Sequence, residues 1–105
     1  MSYYTDEIEV SSIYDATKGW KELAHADESR DYEVDQHWIY EDTIGNIRYV
    51  YASGCSCWEG EGDIYTFPNL LAAARQFFGE EKQFYLSDKA AANLIAEAYN
   101  NFGVR

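Results

Sequence analysis

The stretch DYEVDQHWIYEDTIGNIRYVYA, residues 31–52, decides how this chain is read. Over residues 31–42 the side chains alternate in character. Tyr32, Val34, Trp38 and Tyr40 point one way, and Asp31, Glu33, Asp35, His37 and Glu41 point the other, with Ile39 among them. A period of two is that of a strand with one packed face and one wet face. Gly45-Asn46 follows, and the β-branched and aromatic run Ile47–Ala52 after it predicts a hairpin. A two-residue loop at Gly45-Asn46 sets Tyr40 opposite Tyr51 and Glu41 opposite Val50. Trp38, Tyr40, Tyr49 and Tyr51 then share one aromatic face for a helix to cover.

Upstream, residues 12–26 predict a helix. Ser12 is placed to cap it with Asp15 three residues on, and Ile13, Ala16, Trp20, Leu23 and Ala24 fall on one stripe. Downstream, Ser53–Asp63 reads as a polar loop and Ile64–Phe67 as a third strand. Residues 68–78 predict a helix with Pro68 in its first turn, an apolar stripe of Leu70, Leu71, Ala74, Phe77 and Phe78, and Gly79 closing it. Gln83-Phe84-Tyr85-Leu86 reads as a further strand. Ser87 caps a last helix over 88–101, with Ala91, Leu94, Ile95, Ala98, Tyr99 and Phe102 inward. The expected fold is α+β in a single domain over residues 1–105: a small, mainly antiparallel sheet of three to four strands with about three helices packed on one face.

Charge is distributed unevenly. Residues 1–35 hold ten acids against three bases, residues 36–67 hold five acids against Arg48, and residues 68–105 balance, for a formal net charge of −11. Such a chain repels nucleic acid and anionic lipid, which argues against direct nucleic-acid binding and membrane association and for a basic partner protein. Asp27, Glu28, Asp31, Glu33, Asp35 and Glu41 are the candidate binding acids, with Trp58 as an apolar anchor. If Asp31, Glu33 and Asp35 lie on one strand, their spacing of about 6.5–7 Å imitates a phosphate track. The N-terminus reads MSYYTDE, without a basic or apolar leader pattern, and no apolar run suffices for a membrane span, so a cytoplasmic setting is expected.

Specific chemistry is scarce. Cys55-Ser56-Cys57 supplies two soft donors, and with His37 it makes an alternative metal site, although the knuckle spacings of structural zinc sites are missing. Without an export signal, two cysteines imply a reducing compartment. A calcium loop starting at Asp31 fails because Gln36 stands where glycine is needed. There is no nucleophile elbow, phosphate-cradling glycine loop, dinucleotide fingerprint or His-Glu-x-x-His, so neither an enzyme nor a cofactor is expected. Ten tyrosines leave room for a third reading, a homodimer joined through an aromatic surface.

The segment from Tyr49 through Gly54-Cys55-Ser56-Cys57 to Glu59 resembles short acidic phage-encoded accessory proteins of unknown function, in which a Tyr-rich strand runs into a Gly/Ser/Cys turn followed by acids. The resemblance implies a phage accessory protein that binds and blocks a host defence or nucleic-acid-handling protein in the host cytoplasm. It carries over no catalytic residue. Sequence and resemblance together lead to a non-enzymatic binding protein whose acidic surface occupies a basic site.

Overall fold

The structure is a computed structural model that describes residues 3–79 and 86–103. Five strands form one sheet: β1 (Asp6–Val10), β2 (Lys21–Asp27), β3 (Val34–Glu41), β4 (Ile47–Gly54) and β5 (Gly62–Phe67). Their order is β1-β5-β4-β3-β2, and every neighbouring pair is antiparallel. Three helices accompany it: α1 (Ile13–Ala16), α2 (Leu70–Phe78) and α3 (Asp88–Asn101). The chain is α+β, with five strands among the described residues where three to four were expected. Residues 83–85 of the further expected strand lie outside the described residues; Leu86 is buried just ahead of α3.

Side-chain oxygens start each helix as their residue types dictate. Ser12 accepts from Asp15 N at 3.1 Å, Asn69 from Ala72 N at 2.8 Å and Ser87 from Ala90 N at 3.1 Å. Pro68 therefore precedes the cap of α2 instead of occupying its first turn. The helix expected over 12–26 ends at Ala16, and the chain turns through Gly19 at φ +81°. Residues 21–27 then form β2, where a bulge between Glu22 and Ala24 turns two consecutive residues, Leu23 and Ala24, into the core. The extra residue breaks the period of two and counterfeits a helical stripe.

The β3–β4 hairpin pairs Glu41 with Ile47, Ile39 with Tyr49 and His37 with Tyr51. This is three residues away from the expected register, and Asp42 is the cause. Its Oδ1 accepts from Ile44 N at 3.0 Å and Asn46 N at 2.9 Å, and its Oδ2 from Arg48 Nε at 2.9 Å. Asp42 N also donates to Asn46 O at 2.9 Å, and Gly45 takes φ +91°. The result is a three-residue loop with a left-handed glycine. An odd shift moves side chains to the other face. Trp38 and Tyr40 thus part from Tyr49 and Tyr51, and Ile39 and His37, expected on the wet face, are fully buried beside Tyr49.

Two apolar clusters sandwich the sheet. The larger one holds Leu23, Ile39, Ile47, Tyr49 and Phe67 under Leu70, Ala73 and Phe77 of α2 and Ala91, Leu94, Ile95 and Ala98 of α3. The smaller, on the opposite face, gathers Val50, Ala52 and Ile64 around Ile13 of α1, flanked by Val34, Trp38, Tyr40 and Trp58. Helices therefore lie on both faces, with α2 and α3 on one and the single turn of α1 on the other. Leu71, Phe78, Tyr99 and Phe102, expected inward, are about half exposed, and Tyr32 is 80% exposed.

Candidate acidic binding face

The face carrying α2 and α3 is apolar only where those helices cover it. One residue row runs Ala24–Ile39–Tyr49–Tyr65–Glu7 across β2, β3, β4, β5 and β1. The next row towards the open end runs Ala26–His37–Tyr51–Asp63–Glu9, and beyond it Asp35 pairs with Ser53. Tyr51 and Tyr65 border the core as half-buried rings, and past them the surface turns acidic.

Three shallow clefts join along this margin. The first lies among Glu9, Tyr51, Ser53, Glu61 and Asp63. The second shares Tyr51 and Ser53 with it and adds Glu33, Asp35 and Cys55. The third shares Glu33 and Asp35 and adds Glu28, Arg30 and Ser87. Six carboxylates thus line the described clefts against the guanidinium of Arg30. Three strand spacings, about 15 Å, separate β1 from β3, so the acids form a track across the strands. Mutual repulsion is visible in Asp63, whose carboxyl is pushed above its ordinary value by burial and by the charges of Glu9 and Glu7. Burial and a bond with Glu7 also raise the Tyr65 hydroxyl well above the usual tyrosine range.

A buried polar relay underlies the track. His37 Nε2 lies 2.6 Å from Asp35 Oδ1, and its Nδ1 lies 2.7 Å from Tyr49 Oη. Tyr51 stacks on the imidazole at 4.9 Å. Burial holds His37 below its ordinary value, against the opposing pull of Asp35, so the ring is neutral at pH 7. Around it, Glu28 N donates to Asp35 O at 2.7 Å and Asp35 N to Ser29 Oγ at 2.9 Å, which fixes the turn from β2 into β3.

Of the sequence-expected residues, Glu28, Glu33 and Asp35 come together on this face. Asp31 does not join a strand row: it sits exposed at φ +51° in the tight turn that Arg30 and Glu33 close, so the phosphate-like spacing along one strand is absent. Asp27 is exposed beside a neighbouring hollow with His25 and Lys89, and the hydroxyl and N–H of Ser29 hold its carboxyl below the ordinary value. Glu41 lies opposite Lys21, six residues or about 20 Å along β3 from Asp35. Trp58 packs on the opposite face and donates from Nε1 to Glu61 O at 2.7 Å, so it is no anchor for this track. Cys55 and Cys57 are joined as a disulfide. Both thiolates are thereby consumed, which leaves the alternative Cys55–Cys57–His37 metal site without its sulfur donors, and the paired cysteines depart from the expectation of free thiols. Glu9, Glu61 and Asp63 escaped the sequence reading. For Glu9 the available signal was the alternation of Glu7 and Glu9 with Ile8 and Val10.

No helix among the described residues is long and apolar enough to cross a membrane. Comparison with protein-family models, curated proteins and solved structures finds no match for the chain.

Proposed function

We propose that this protein acts by binding: its acidic cross-strand track receives a lysine- or arginine-rich surface of a partner protein, in competition with the nucleic acid that such a surface would otherwise hold. The observation that carries this reading is the run of Glu9, Glu61, Asp63, Glu33, Asp35 and Glu28 along three joined clefts, two of them lined by Tyr51 and Ser53. Exposed like charges held this close oppose folding and speed the encounter with a cationic surface. A half-buried tyrosine supplies a ring on which a guanidinium can stack. The setting implied by the phage-protein resemblance, interference with a host protein, agrees with this chemistry and belongs to the same proposal.

A fluorescent arginine-rich peptide of about ten residues is the probe, followed by anisotropy from low to high salt. Binding should weaken with salt, and Glu9→Gln/Asp63→Asn should weaken it further and flatten the salt dependence. Glu22→Gln, exposed on a different part of the sheet, should match the parent protein. Equal losses in the two variants would reduce the track to diffuse net charge and overturn the reading.

A further inference from the structure

We propose that Glu28, Asp35 and His37 form a site for one divalent first-row transition-metal ion of the zinc type. One ligand atom from each of the three residues lies within 4.8 Å of the other two. An ion with metal–ligand distances of about 2.0–2.2 Å needs its ligand atoms roughly 3.5 Å apart, so the 2.6 Å contact between His37 Nε2 and Asp35 Oδ1 opens as the half-buried Glu28 side chain rotates inward to close the set. Asp35 and His37 stand two apart on β3 and therefore share a face. Glu28 is brought to them by its own backbone bond to Asp35 O.

The donor chemistry sets the class of ion. Two carboxylates balance a double positive charge, and an imidazole nitrogen favours zinc, cobalt or nickel over magnesium, calcium and manganese. His37 is fully buried, and its second nitrogen already has a partner in Tyr49 Oη. That arrangement orients a metal-bound histidine and selects its tautomer. In the tautomer with hydrogen on Nδ1, donated to Tyr49 Oη, the Nε2 lone pair points to the ion in place of the present bond to Asp35. The remaining coordination position faces the cleft of Arg30, Glu33 and Ser87, where water or a donor from a partner fits. None of these ligands is a cysteine, so the site is distinct from the Cys55–Cys57 pair.

The site goes beyond the proposed function. It shares Glu28 and Asp35 with the acidic track but does not depend on peptide binding. The experiment uses the full chain with its disulfide intact, stripped by chelator, and titrates Zn2+ calorimetrically and Co2+ by visible absorption. One ion per chain is expected, undisturbed by excess Mg2+. Glu28→Gln and Asp35→Asn should each weaken binding at least tenfold. Glu33→Gln, in the same cleft outside the ligand set, should stay within about threefold of the parent, as should Glu9→Gln/Asp63→Asn, which tests the track alone. Because Glu28 lies at the margin of the fold, its variant keeps the test open even where a His37 variant fails to fold. Absence of saturable one-to-one binding, full affinity in Glu28→Gln, or an equal loss in Glu33→Gln would overturn the site.

Discussion

Tyr49→Phe removes one oxygen from a fully buried ring and interrogates the relay beneath the acidic face. The ring itself has little reason to move: Phe can keep the edge contact with Phe77 at 4.9 Å and the stack on Tyr65 at 5.7 Å. Apolar burial is thus nearly unchanged. What disappears is the 2.7 Å bond between Oη and His37 Nδ1. Both residues are 0% exposed, so no solvent reaches the orphaned nitrogen. A buried polar atom left without a partner costs about 1–3 kcal/mol. For a domain of this size each kcal/mol lowers Tm by about 4–8 °C, so the expected fall is roughly 4–24 °C. Urea unfolding followed by tyrosine and tryptophan fluorescence at pH 7.5, with a thermal scan beside it, measures both. The double variant His37→Leu/Tyr49→Phe should lose less than the two single losses added, by about 0.5–3 kcal/mol, because the partners vanish together. A single-variant loss below about 0.5 kcal/mol, or strict additivity, would show that His37 is satisfied without Tyr49 and refute the relay.

Three further outcomes follow from the same structure. A Cβ on Gly62 would stand 2.6 Å from both Ile13 Cδ1 and the Tyr51 carbonyl oxygen; Gly62→Ala should therefore cost about 1–3 kcal/mol in urea unfolding, and adding Ile13→Ala should not restore it, because the backbone contact persists. For pH dependence, the Asp63 carboxyl is raised from 3.8 in the folded chain, so its contribution to stability is lost as pH rises through the raised value. Asp63→Asn should accordingly be the more stable protein at pH 7, with its advantage shrinking towards pH 4. His37 runs the other way: its folded value lies below 6.5, so its contribution is complete above 6.5 and lost as pH falls beneath it, and its NMR titration midpoint should lie below 6.5.

Much of the architecture was written locally. Ser12, Asn69 and Ser87 announce helix starts because a short side-chain oxygen beside free N–H groups acts within a few residues. The alternation in β3, the run Ile64–Phe67 and the terminal helix are equally local, and so is the surplus of acid in the first two-thirds of the chain. Near neighbours settle these features, so a linear reading reaches them.

The binding face needed the fold. The side chain of Asp42 chose a three-residue loop over the Gly45-Asn46 turn, and that odd shift turned His37 and Ile39 inward. A bulge at Leu23 disguised β2 as helix, because consecutive inward residues break the signature of a strand. β1, with its acids exposed at the sheet edge, carried too few apolar residues to declare itself. Sequence alone therefore determined β3, β4, β5, the two longer helices, the caps and the sign of the charge, all set by interactions a few residues long. Only tertiary pairing decided that Glu9, Asp63, Asp35 and Glu28 share one margin and that His37 sits between Asp35 and Tyr49, because cross-strand register brings together residues whose separation in the chain holds no trace of their contact.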